Sequence, residues 1–166
     1  MEHFISRDDA EGDLLSCAAF LAENIKSADG RAEAMNAVVP RYLAAGNVDL
    51  AAALADTVDD PFSRDKLLVI VAEHCASIDD DDYAMQLADA IEDDGMSAQA
   101  RERIALIKAS KGEFEKALGY FERWQLGSWC GSCVGQIANE KLLYRSQCLV
   151  ELNRLDEAWK LLEPKL

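Results

Sequence analysis

The sequence predicts an all-α protein built as a stack of helix pairs, and three observations carry that prediction. A block recurs: Ala51-x-x-Leu54-Ala55-Asp56-x-Val58, Ala84-x-x-Leu87-Ala88-Asp89-x-Ile91 and Ala117-x-x-Tyr120-Phe121-Glu122-x-Trp124 stand at equal steps of 33 (51 to 84, 84 to 117). One step back falls on Ala18-x-x-Leu21-Ala22-Glu23-x-Ile25. A period of this length marks supersecondary units that bury their faces only against their neighbours. Apolar residues also recur three and four apart almost everywhere, and no stretch alternates long enough to argue for a sheet. Finally, the pattern is cut at regular places by Gly, Pro, Asp and Asn, the residues that stop and cap helices.

These cuts define about nine helices in order. A leading helix, 12–27, ends before Asp29-Gly30. Helix 30–45 ends at Gly46-Asn47, and 47–58 ends before Asp60-Pro61. Helix 62–77 stops at the run Asp79 to Asp82, and 81–92 stops at Asp94-Gly95. Helix 97–110 ends at Lys111-Gly112, and 113–125 ends before the glycines at 127 and 131. Helix 133–152 ends at Asn153-Arg154, which leaves 155–163 as the last. Short connections make neighbours antiparallel. The expected organisation is one domain over 1–166, with pairs at about 30–58, 62–92, 97–125 and 133–163 after the leading helix. Small residues at Ala51, Ala84, Ala117 and Ala158 let two backbones approach. Leu54, Leu87, Tyr120 and Leu161 fill the next layer, each such burial contributing about 1.5–3 kcal/mol. Pro40 falls inside a helix, where it is expected to kink or interrupt it. Trp124 and Trp159 stand at repeat positions and are expected in the core.

At 166 residues and 50% hydrophobic, the chain can bury a sizeable core and is not composed like a disordered segment. Its net charge of −14 repels nucleic-acid phosphates and anionic membrane surfaces and favours a basic protein partner, with solubility alone as the plain reading of that charge. No apolar run reaches the length of a membrane span, and the acidic N-terminus has no apolar signal core. Cys17, Cys75 and Cys148 sit within apolar helical patterns, as buried reduced thiols do. A cytoplasmic protein is expected.

Lys111-Gly112-Glu113-Phe114-Glu115-Lys116-Ala117 followed by Phe121, and Leu152-Asn153-Arg154-Leu155-Asp156-Glu157-Ala158 followed by Leu162, resemble the start of the second helix in the tetratricopeptide repeat. Gly46-Asn47-Val48-Asp49-Leu50-Ala51 is a weaker version. That family's small residue, twelve positions before the Ala, is matched by Ala72, Ala105 and Ser146, with Val39 departing from it. The resemblance covers about residues 30–166 with a period one short of the family's 34. It implies a right-handed αα superhelix whose first helices line a concave groove for a peptide or partner helix. The groove positions carried over are Glu33, Asn36, Lys66, Glu73, Gln99, Glu102, Arg103 and Gln147. Asn36, Lys66 and Arg103 also fit a carboxylate clamp of the kind some members have, although Glu73 and Glu102 oppose an anion there. A solvated polar face is the plain alternative for each of these residues.

The last unit breaks the period with a step of 41 (117 to 158), and the added residues surround a loop at 126–133. There Trp129-Cys130-Gly131-Ser132-Cys133 resembles the Trp-Cys-Gly-Pro-Cys loop of thioredoxin-like oxidoreductases. The likeness covers five residues, no strand precedes it, and Pro40, Pro61 and Pro164 are not placed to face such a site. It is read as coincidental or convergent. Cys130 and Cys133 are read first as two ordinary thiols in a tight turn, and they remain candidates for a reversible disulfide. Alternatively they bind zinc, with a four-ligand site shared between two chains. Trp129, in the same loop, is the candidate exposed anchor for a partner. The acids Asp79 to Asp82 lack the spacing of a calcium loop and are read as helix caps. No nucleophile–base arrangement or phosphate loop is present. The expected function is therefore non-enzymatic, with no cofactor: an interaction module that holds a protein or peptide. The alternatives are a redox- or metal-responsive version using Cys130 and Cys133, or a self-associating structural subunit.

Overall fold

The computed structural model describes residues 4–123 and 134–163, and among them every element is helical. The helices are α1 (Arg7–Gly12), α2 (Leu14–Glu23), α3 (Ala28–Ala44), α4 (Val48–Asp56), α5 (Pro61–Ser77), α6 (Asp81–Ala90), α7 (Asp94–Ser110), α8 (Phe114–Arg123), α9 (Val134–Glu151) and α10 (Leu155–Leu162). The pairs α3/α4, α5/α6, α7/α8 and α9/α10 each pack together. Each second helix also packs on the first helix of the following pair, and the first helices α3, α5 and α7 lie side by side. None of the described helices is long and apolar enough to cross a membrane.

The sequence period is visible in the caps. Ser27, Asp60 and Asp93, one period apart from each other, accept the backbone N–H of Gly30, Ser63 and Met96 and so start α3, α5 and α7. At the other end of these helices the chain turns at Gly46, Asp79 and Gly112, all with positive φ, and after α9 it turns at Asn153. In each turn the next N–H reaches back to the same place in the preceding helix. Asn47 donates to the Tyr42 carbonyl, Asp80 to Cys75 and Glu113 to Lys108, each at 2.9 Å, and Arg154 donates to Leu149 at 2.8 Å. This is the Schellman closure, which satisfies carbonyls left over at a helix C-terminus.

The pairs are also tied to one another at repeated positions. Arg31 meets Asp59 at 2.8 Å, and one period later Arg64 meets Glu92 at 2.9 Å. Arg31 is almost wholly buried and also donates from Nε to the Ile25 carbonyl (3.1 Å). Buried Asp65 accepts the N–H of Asp93 at 2.8 Å, fixing the start of α7. Ala51, Ala84 and Ala117 are fully buried, as are Ala72 and Ala105, so the small residues do meet in the helix–helix contacts. One apolar core runs without a break from Ile5 to Ile104. Two smaller clusters follow, Ala105, Ala117, Phe121 and Cys148, then Leu118, Leu149 and Ala158.

Several expectations are corrected. The leading helix expected over 12–27 is shorter, Leu14–Glu23, and a further helix, Arg7–Gly12, precedes it, giving ten among the described residues where about nine were expected. Asp13 is extended, ends α1 and caps α2 through the Ser16 N–H, while Ser6 and Asp9 form a capping box at the start of α1. Pro40 does not interrupt α3, which runs unbroken from Ala28 to Ala44. Proline removes only the bond to the Asn36 carbonyl, and both residues sit on an exposed side where water can replace it. Trp159 is not core but 60% exposed. Leu21 is also 60% exposed, unlike its counterpart Leu54, because no full-length helix pairs with α2 as α3 pairs with α4. Cys75 and Cys148 are buried as expected, but Cys17 is only half-buried.

Candidate functional groove on the first helices

The first helices of three pairs form one continuous surface, and it holds an open depression of about 520 Å³. Its lining comes from the C-terminal halves of α3, α5 and α7. Pro40, Leu43 and Ala44 lie on one side, Ile70, Glu73, His74 and Ser77 along the middle, and Ile107 on the other side. The sequence explains this placement. Ile70 and Glu73 are three apart and His74 is four from Ile70, so they share a face of α5, whereas Cys75 points inward and is fully buried. Pro40 leaves the Asn36 carbonyl without its helical donor at the edge of the same depression.

Of the groove residues expected from the sequence, Glu73 lines this depression, and the others that are described lie elsewhere on the first helices α3, α5, α7 and α9. Glu33 and Asn36 are exposed on α3, and Lys66 is exposed on α5, where Glu73 is half-buried. On α7, Gln99 and Arg103 are exposed and Glu102 is half-buried, and Gln147 is exposed on α9. Two of them are brought together: the Arg103 guanidinium bonds the Glu73 carboxylate across α7 and α5. That pair leaves Arg103 committed to an acid rather than free to hold an anion. Trp129, Cys130 and Cys133 lie outside the described residues, as does Trp124. The apolar members of the lining, Leu43, Ile70 and Ile107, escaped the sequence reading because they follow the same helical spacing as core residues. A proline on the outer side of a helix was the available signal.

A second charged assembly lies where α5 turns into α6. Lys108 of α7 has no exposed side chain, and its Nζ sits 2.7 Å from Asp79 and 2.5 Å from Asp81, with Glu113 at 3.8 Å. Lys111 adds a contact to Asp79 at 2.6 Å and donates to the Ser77 carbonyl at 2.6 Å. Burial alone pushes the Lys108 pKa down, but the hydrogen bonds to Asp79 and Asp81 outweigh it and the ammonium is held charged. Hydrogen bonds from Lys108 and then Lys111 hold the Asp79 carboxyl down to about 2. In the acidic run, then, Asp80 alone caps α6, and its neighbours clasp the next pair. Burial raises the Cys75 thiol to about 11 and also raises Cys148, so neither is a ready nucleophile. Comparison with known protein families, with curated proteins and with solved structures returns no match.

Proposed function

We propose that this protein is a non-enzymatic adaptor of the tetratricopeptide-like kind, whose first-helix surface receives a peptide or helix of another protein. The observation that supports the reading best is the depression shared by α3, α5 and α7, with an apolar floor beside the Glu73 carboxylate. An apolar floor with a few polar groups at its edge suits a partner side chain that needs both burial and orientation. The net charge of −14 favours a basic partner and should make association faster at low salt. The buried thiols of Cys75 and Cys148 accord with a reducing compartment.

The test is a quantitative one. With a partner recovered by affinity capture and then purified, binding is measured by calorimetry against the native protein and Ile70→Asp. The charge placed on the floor is expected to weaken binding by about tenfold or more, since central apolar contacts dominate such interfaces. A partner that binds Ile70→Asp as tightly as the native protein would place its site elsewhere and overturn the groove reading.

A further inference from the structure

Inside the stack, the face that one pair turns toward the next is covered by the next pair's first helix. Leu118 of α8 is 3% exposed and packs in one cluster with Leu149 of α9. Val69 and Ala76 of α5, beneath α7, are 4% and 0% exposed. The last pair repeats these positions when the α6 block at Ala84 is aligned with the α10 block at Ala158. Leu143 then stands in the place of Val69, and Val150 in that of Ala76. Trp159 follows Ala158 as Leu118 follows Ala117. These three are 61%, 50% and 60% exposed, and Leu155 beside them is 56% exposed. The α9/α10 face thus repeats the positions that dock a helix inside the stack, and no described residue covers it.

The inner joint also shows what kind of helix fits. On the α5/α6 pair, α7 brings Arg101 to Asp89 at 2.5 Å, Arg103 to Glu73, and Lys108 to Asp79 and Asp81. The docking helix thus carries cations to acids around an apolar centre. On the last pair Glu163 holds the place of Asp89, while Gln147, Asn153 and Leu155 replace the other three acids. Asp156 and Glu163 lie three positions before and four after Trp159, and so beside it on the helix surface. All three are exposed.

We infer that the α9/α10 face, centred on Trp159, docks an amphipathic helix of a partner protein whose apolar stripe is flanked by Lys or Arg. This surface is separate from the groove on α3, α5 and α7. A second copy of this chain suits it poorly. Each copy would bring Asp156 and Glu163 to the same joint, against a background of −14 per chain.

The probe is a fluorescently labelled helical peptide of about five turns, made of Leu, Ala and Lys with leucines at i, i+3, i+4 and i+7. Its twin carries Glu in place of Lys. Binding to the full chain is read by anisotropy. The Lys peptide is expected to bind saturably and the Glu twin far more weakly. Trp159→Asp should weaken the Lys peptide by about tenfold or more, as loss of a central aromatic does, and Trp159→Phe should retain most of the affinity. Ile70→Asp, in the groove, should leave it unchanged. Equal binding of the two peptides, or no effect of Trp159→Asp, overturns the proposal. So does light scattering that shows a dimer of the unliganded protein dissolved by Trp159→Asp, which would assign the face to a second copy.

Discussion

At Gly46 the chain leaves α3 with a φ of 79°, and at Asp79 it leaves α5 with a φ of 68°. The two turns close the same bond, from Asn47 to the Tyr42 carbonyl and from Asp80 to the Cys75 carbonyl, both at 2.9 Å. Glycine adopts this conformation without steric cost, whereas an aspartate there costs about 1 kcal/mol. The second turn offsets that cost from outside its own pair. Lys108 and Lys111 of α7 reach Asp79 at 2.7 and 2.6 Å, and Lys108 is wholly buried beneath it. One and two periods earlier, the position Lys108 occupies is filled by Cys75 and Tyr42, which carry no cation to bring to a preceding turn. The first turn is thus set by local backbone freedom. The second is set by coupling between neighbours, the term that makes a repeat array fold as one body.

The largest test of this contrast is Lys108→Ala. It removes a buried cation and leaves Asp81, which is only 14% exposed, with the longer contact to Lys116 at 3.4 Å as its remaining ion pair. Breaking a buried pair by deleting one partner costs about 3–5 kcal/mol. Urea denaturation should show a loss of that order. Lys111→Ala, on a more exposed pair, should cost under about 1 kcal/mol. If Lys108→Ala loses no more than Lys111→Ala, the coupling between these pairs does not run through the clasp.

The helices and their phase were legible because Ala51, Ala84 and Ala117 mark them, and all three lie fully buried in the contacts expected of them. The turns were legible at Gly46 and Gly112, where the residue type announces the conformation. The clasp was not, because four consecutive aspartates look alike. Which one caps a helix and which one meets Lys108 is decided by a helix of the following pair. Trp159 misled because a repeat position is buried only where a neighbour covers it, and no described residue covers that face of α10. Of the polar groove candidates only Glu73 lines the depression, and the apolar lining at Leu43, Ile70 and Ile107 was masked by its likeness to a core stripe. The insertion carrying Trp129, Cys130 and Cys133 lies outside the described residues, so its reading rests on its sequence.

A smaller effect separates backbone from charge. A Cβ added at Gly112 would meet nothing within 4 Å, so Gly112→Ala carries no clash and only the strain of a φ of 79°. The expected loss is about 1 kcal/mol by urea denaturation. Asp79→Gly should relieve a similar strain while giving up two lysine contacts, so its net change at neutral pH is expected to fall below that of Gly112→Ala. A loss for Asp79→Gly well beyond that of Gly112→Ala would mean that the carboxylate dominates its turn and conformation is secondary.

The finest test uses acid. Asp79→Asn keeps a side chain that tolerates positive φ, as Asn153 does at 57° in the last turn, and removes only the charge. Lys108 and then Lys111 hold the folded Asp79 pKa at about 2, against 3.8 for the free carboxyl. The unfolded chain therefore binds this proton more readily than the folded one. The stability Asp79 contributes is complete above pH 3.8 and drains away as pH falls toward about 2. In that window the native protein should lose stability more steeply than Asp79→Asn. The two curves should differ at neutral pH and converge by about pH 2 as Asp79 takes up its proton, while the capping acids Asp13 and Asp60, whose pKa values are also lowered by hydrogen bonds, titrate in both proteins and cancel. Thermal midpoints read by circular dichroism across this range decide it. Parallel curves would show that Asp79 sits in its turn without drawing stability from the lysines, and the two turns compared above would then differ in sequence alone.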